Sequence, residues 1–202
     1  MSALKQEQHR EKITYEDYFN MPDDGNRYEV IDGELYMMAA PFTKHQRISG
    51  RIFLALGNFL RGKRCEVFHA PFDVRLPLRG GKKIHNVVQP DLAVYCNQLG
   101  IDERGGRLAP DIIIEILSKS TARMDRIRKL KLYESAGVKE YWIVDPANEL
   151  IEVYHLENKV YSLPPTLYEI DDTIHGADIT CPDFEGFSLD LSQIFQTTPQ
   201  GE

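Results

Sequence analysis

From Thr43 to about Arg61 the apolar residues Ile48, Ile52, Leu56 and Phe59 recur every three to four positions, which predicts a helix with one buried face. Upstream, TYEDYF predicts a short helix capped by Thr14, and MPDDGN predicts a turn. RYEVIDGELYMMA reads as two strands joined at Asp32-Gly33, a dipeptide favoured in tight hairpins. Downstream the pattern changes to three strand candidates, CEVFHAPFDVRL (65–76), VVQPDLAVY (87–95) and DIIIEIL (111–117), separated by the loops LRGGKK and GIDERGG. SKST offers hydroxyl caps for a helix reaching about Ala136, where Gly137 supplies the stop. EYWIVDP then predicts a buried strand ended by Pro146, IEVYHL with KVYSL predicts a hairpin, and FSLDLSQIF is expected to pack back on the core. Helix, three strands, helix, strand, with hairpins at both ends, predicts an α/β fold: a central mixed β-sheet flanked by helices.

The 202-residue length suits one sizeable core. The expected division is a flexible arm at 1–13, a single domain at 14–195 and a disordered tail at 196–202. No apolar run approaches the roughly 20 residues of a membrane span, and the polar start MSALKQEQHREK lacks the apolar centre of a signal peptide. A cytoplasmic protein is therefore expected. Cys65, Cys96 and Cys181 are odd in number and widely spaced, which predicts reduced, buried, inert thiols rather than a disulfide framework or zinc cluster. The histidines form no HExxH group, so any metal is expected on carboxylates.

The net charge of −7 argues against a nucleic-acid partner until its distribution is considered. Residues 160–202 hold eight Asp or Glu and no Lys or Arg, so residues 1–159 carry 24 basic against 23 acidic groups, a net +1. Basic residues gather at Arg61, Lys63 and Arg64, at Arg79, Lys82 and Lys83, and from Lys119 to Lys131. They form either solvated faces or a surface that tracks phosphates.

Two carboxylates fall inside apolar strand candidates, Asp91 and Glu115. Moving an isolated ionised carboxylate into the interior costs several kcal/mol, so each needs a partner, a proton or a cation. Asp111 and Glu115, four apart in one strand, are separated by about 13 Å and cannot share an ion, whereas Asp91 lies on the preceding strand at about 4.8 Å spacing. Glu115 shares its face with Ile113 and Leu117, while Ile112, Ile114 and Ile116 point the other way, as in a strand covered on both sides. Mg²⁺ or Mn²⁺, held by Asp91, Glu115 and the Ile116 carbonyl, would relieve the repulsion between the two carboxylates. The alternative is that Asp91 caps a turn and Glu115 pairs with a basic residue of the next helix. On that helix, at 100° per residue, Lys129 shares a face with Ala122, Asp125, Leu132, Tyr133 and Ala136. The small alanines would let this face lie close to the sheet and bring Lys129 to Glu115; otherwise Lys129 pairs with Asp125 at i,i+4.

Pro90-Asp91, Glu115-Ile116-Leu117 and a following helix bearing Lys129 resemble the PD-(D/E)XK nuclease superfamily with its lysine moved from strand to helix. More closely, RYEVIDGELY, HAPFDVRL, VVQPDLAV, IIIEILSKST and KLYESAGVKEYWIVDP are similar to the Uma-two family of restriction-endonuclease-like proteins, over roughly residues 14 to 155. The resemblance implies a restriction-endonuclease-like αβββαβ core and a divalent-metal-dependent DNA endonuclease. Asp91 and Glu115 would then be metal ligands, Lys129 would orient the nucleophile or stabilise the phosphate, and Glu29 would be a further acidic residue of the site. His45, Gln89, Lys119 and Arg126 are expected to contact substrate. Leu117 stands where the strand motif has lysine, so activity depends on Lys129. A homodimer is expected, with no membrane and no nucleotide cofactor. Two other functions compete: a catalytically silent nuclease-fold module binding nucleic acid or protein, and a metal-dependent hydrolase of a small phosphoester.

Overall fold

The computed structural model describes residues 11–77 and 83–196. Most of the expected arm and tail, residues 1–10 and 197–202, lies outside the described residues, as do Arg79 and Lys82. Helix α1 (Tyr15–Phe19) starts at a reciprocal capping box formed by Thr14 and Asp17. Strands β1 (Tyr28–Ile31) and β2 (Glu34–Met37) form the expected hairpin. At its turn Asp32 and Gly33 both have positive φ, 54° and 80°, as a two-residue turn of this kind requires. Helix α2 (Thr43–Leu60) buries Ile48, Ile52, Leu56 and Leu60.

The candidates at 65–76 and 87–95 are each two strands, β3 (Glu66–His69) with β4 (Val74–Arg75), and β5 (Val87–Val88) with β6 (Leu92–Tyr95). Pro71 and Pro90 lie in the breaks, where neither can donate to a ladder. The halves separate into different sheets. Strands β7 (Ile101–Asp102) and β8 (Gly105–Gly106) complete a sheet ordered β2-β1-β5-β4-β8-β7. The other sheet runs through β9 (Ile112–Ile116), β10 (Glu140–Asp145), β11 (Leu150–Glu157) and β12 (Val160–Tyr161) in the order β12-β11-β10-β9-β6-β3, with β13 (Thr166–Glu169) also on β11. Between β9 and β10, a π-helical segment Met124–Lys129 continues as α3 (Leu130–Ala136). A hairpin of β14 (Thr173–His175) and β15 (Ser188–Asp190) leads into α4 (Leu191–Phe195). The path α2-β3-β6-β9-α3-β10 is the αβββαβ core, with β9 parallel to β10 and antiparallel to β6.

Strand β9 is buried on both faces. Ile112, Ile114 and Ile116 pack with α2, Trp142 and the C-terminal Leu191, Ile194 and Phe195. Ile113 and Leu117 pack with Tyr133 and Tyr141. That division follows the two-residue period of the sequence.

Two further expectations change. The helix after β9 does not advance at a uniform 100° per residue, because the Leu130 N–H bonds to the Asp125 carbonyl, five residues back, in the wider π turn. The Tyr141 hydroxyl donates to the same carbonyl at 3.2 Å. Cys65 and Cys96 are disulfide-bonded rather than reduced, while Cys181 is free and buried. Pairing of Glu66 with Tyr95, extended by one residue, sets the two cysteines opposite each other across β3 and β6, a register that linear spacing conceals. Among the described residues, no helix is long and apolar enough to cross a membrane.

Ile114 is fully buried at the centre of the sheet, whereas Ile127 is 48% exposed. Ile114→Ala is expected to lower unfolding free energy by about 2 to 5 kcal/mol through lost burial and a cavity. Ile127→Ala should stay within about 0.5 kcal/mol of the wild type. Urea denaturation of the two variants checks the contrast.

Candidate active site

A cleft of about 520 Å³ opens where β1, the ends of β6 and β9, the π-helical segment and the first turns of α2 meet. Its lining includes Glu29, His45, Gln89, Asp91, Glu115, Ile116, Asp125 and Lys129. Asp91 sits in the bend just before β6, not within a strand as expected. Because Leu92 pairs with Ile114, extending the register by one residue sets Asp91 opposite Glu115. The Ile116 N–H donates to Asp91 Oδ2 at 2.8 Å, so Asp91 ties the end of β9 rather than capping a turn. His45 Nε2, from α2, lies 3.1 Å from the same oxygen.

Glu115 is buried, as its position in β9 dictates. Its Oε1 accepts from Lys129 Nζ at 2.9 Å and from the Tyr133 hydroxyl at 2.7 Å. Lys129 Nζ also donates to Glu29 Oε1 at 2.9 Å and lies 3.7 Å from Asp125 Oδ1. The two roles expected for Lys129, partner of Asp125 and neighbour of Glu115, are thus filled by one geometry.

Three buried carboxylates surround one ammonium, which leaves negative charge in excess. Burial pushes Glu115 well above the usual carboxylate range; Lys129 opposes the shift, while Asp125, Asp91 and Glu29 add to it. Asp125 is raised by burial in the same way, against the pull of Lys129. For Lys129, burial disfavours the ammonium, but Glu115, Glu29 and Asp125 outweigh it and hold the lysine charged.

Glu29 Oε1 also accepts the Gln89 backbone N–H at 2.8 Å. The Gln89 side chain accepts from Arg27 Nε at 2.8 Å and donates to Asp73 Oδ1 at 2.8 Å, so this residue braces the wall behind Glu29. Lys119 and Arg126 lie in an adjoining pocket that shares Phe42, His45 and Ser118 with the cleft. Arg126 is committed there to Asp145 and Glu152. The sequence placed Asp125 only as a helical partner of Lys129, although its four-residue spacing was the signal that both would face one cleft. Arg27, Tyr18 and Asp73 carry no comparable signal, since Arg27 and Asp73 meet Gln89 through the pairing of β1 with β5 and of β5 with β4, and Tyr18 meets it from α1.

The donor set suits a hard divalent cation. Glu115 Oε2 and Asp91 Oδ1 make no hydrogen bond to a described residue, and both residues line the cleft beside Ile116, whose carbonyl is a further oxygen donor. A cation here would also offset the buried excess of negative charge.

The chain is 26% identical over 146 residues to the "Uncharacterized protein slr1290" of Synechocystis sp., covering 71% of this chain and 74% of that protein. Its fold matches the crystal structure of "a putative nuclease belonging to DUF820 from Anabaena variabilis" with a TM-score of 0.70, covering 91% of this chain and 97% of that one at 19% identity. That likeness shows the fold, mixed β-sheets flanked by helices. Residues 15–192 match the family described as "Uma2: Putative restriction endonuclease", and the chain belongs to this nuclease family.

Proposed function

We propose that the cleft is the active site of a Mg²⁺- or Mn²⁺-dependent DNA endonuclease. The observation that carries this reading is the contact of Lys129 Nζ with Glu115 at 2.9 Å, which places a lysine from the helix beside the β9 carboxylate although Leu117 occupies the strand position. Asp91, Glu115 and the Ile116 carbonyl are the proposed metal ligands. The chemistry supplied by a bound ion is a water of lowered pKa and a polarised scissile phosphate.

This chain's own residues do the rest. Glu29 and Glu115 fix the Lys129 ammonium from two sides, and that ammonium offsets negative charge as it develops on the phosphorus oxygens. Tyr133 holds Glu115 in one orientation from the protein side. His45 steadies Asp91 through Nε2, and its ring lines the cleft where a substrate phosphate would lie. The water oxygen would bond to phosphorus and release a proton to solvent, the bond from phosphorus to the departing sugar oxygen would break, and that oxygen would take up a proton from solvent. Lys119, exposed at the adjoining pocket, follows the phosphate backbone. A homodimer would provide one such cleft for each strand of a duplex.

Asp91→Asn and Glu115→Gln are each expected to abolish nicking of plasmid DNA in Mg²⁺ or Mn²⁺, and Lys129→Ala to slow it by about 10² to 10³-fold. Any of the first two cutting at the wild-type rate would sink the reading. Rate against ionic strength separates substrates: cleavage of long DNA should weaken steeply with salt through counterion release, whereas a small phosphoester would respond little.

Calorimetric titration of Mn²⁺ should give saturable binding to the wild type and none to Glu115→Gln. In metal-free buffer, the Glu115→Gln melting temperature should equal or exceed that of the wild type, because the amide removes a buried charge from an overcharged cluster. A large fall in melting temperature would instead make Glu115 a structural ion-pair residue.

A further inference from the structure

All three cysteines of the chain come together, although they lie at 65, 96 and 181 in the sequence. Cys65 precedes β3 and Cys96 follows β6, on opposed positions of paired strands. Cys181 arrives from the segment between β14 and β15. The ligand atoms of Cys96, Cys181 and Asp111 all lie within 4.8 Å of one another. Among the described residues no other set of three such groups is so close. Cys65 Sγ is 3.6 Å from the carbonyl of Pro182, the residue after Cys181, which brings the third sulfur to the same place.

We infer that Cys65, Cys96, Cys181 and Asp111 form a binding site for a thiophilic divalent cation, Zn²⁺ by chemical class, that the Cys65–Cys96 disulfide closes and reduction opens. Three sulfurs and one carboxylate oxygen supply the four ligands that a structural zinc takes, and all four residues are buried. The surroundings are built around them. Asp111 is oriented by the Cys96 N–H on Oδ2 at 2.7 Å and by Lys139 Nζ on Oδ1 at 2.6 Å, an arrangement that leaves a lone pair on each oxygen. The Lys139 charge offsets part of the net negative charge of three thiolates, a carboxylate and Zn²⁺. On the other side, Glu140 accepts the Thr180 hydroxyl at 2.6 Å and so fixes the residue before Cys181. The cluster is shallow: Pro182 and Asp183, which cover it, are exposed.

The steps balance. A dithiol reductant supplies two electrons and two protons, the Cys65–Cys96 bond breaks to two thiols, and the reductant becomes a disulfide. Zn²⁺ then displaces one proton from each of three thiols as three Zn–S bonds and one Zn–O bond to Asp111 form. The consequence is a tether between the sheet and the C-terminal segment whose presence follows the redox state.

The test uses the full chain, reduced with a dithiol and desalted without oxygen, and Co²⁺ as the spectroscopic probe for Zn²⁺. The sulfur-to-cobalt charge-transfer absorption is expected to correspond to one thiolate-bound Co²⁺ per chain, to be abolished by Zn²⁺ and to be absent from the oxidised chain. Oxygen ligands at Asp91 and Glu115 cannot produce that absorption, so the nuclease reading stands or falls separately. Lys139→Ala should weaken binding by roughly tenfold as an outer-shell change. In the unmutated reduced chain, Zn²⁺ should protect all three thiols from N-ethylmaleimide, counted by mass spectrometry. A folded, reduced wild type without the charge-transfer band, or thiols alkylated equally fast with and without Zn²⁺, overturns the inference.

Discussion

The Lys129 ammonium is the point through which separate parts of this molecule meet. It contacts Glu29 from β1, Glu115 from β9 and Asp125 from its own helix, so one buried cation joins the two sheets and the helix between β9 and β10. Removing it would leave three buried carboxylates without a cation, the costly way to break a buried ion pair. The π turn belongs to this constraint, because it carries both Asp125 and Lys129 onto the cleft while Leu132 and Tyr133 remain in the core.

Around that cation, hydrophobic burial and electrostatics pull in different directions. Strand β9 carries isoleucine on both faces, which strips a carboxylate placed there of water. Glu115 sits there with an excess of negative charge beside it, a local conflict of the kind that folded proteins tolerate where a ligand or a reaction requires it. Tyr133, Gln89 and Arg27 form a second layer that holds the carboxylates in fixed orientations rather than neutralising them. The proposed chemistry uses this preorganisation: a divalent ion and a phosphate would enter a site already shaped for positive charge.

The short strand β6 is flanked by Asp91 on one side and by Cys96 on the other. At the Asp91 end it borders the cleft, and at the Cys96 end it meets the disulfide, Asp111 and Cys181. Oxygen donors gather at the first place and sulfur donors at the second, which suits them to hard and thiophilic cations respectively.

The sequence by itself determined the elements whose causes are local. The α2 helix follows from its apolar spacing, the first hairpin from Asp32-Gly33, the α1 cap from Thr14, and the two faces of β9 from alternating isoleucines. It also brought Asp91, Glu115 and Lys129 into one neighbourhood, because strand spacing and helix periodicity bound how far apart they can lie. Tertiary structure alone decided what depends on register between distant segments. The split of each Pro-interrupted run between two sheets, the opposition of Cys65 to Cys96, the arrival of Cys181 beside Asp111 and the Gln89 bracing of Glu29 all arise from pairings that no local period encodes. The π turn escaped for a related reason: its widened hydrogen bond is set by packing against Tyr141 and the buried charges, not by helix propensity.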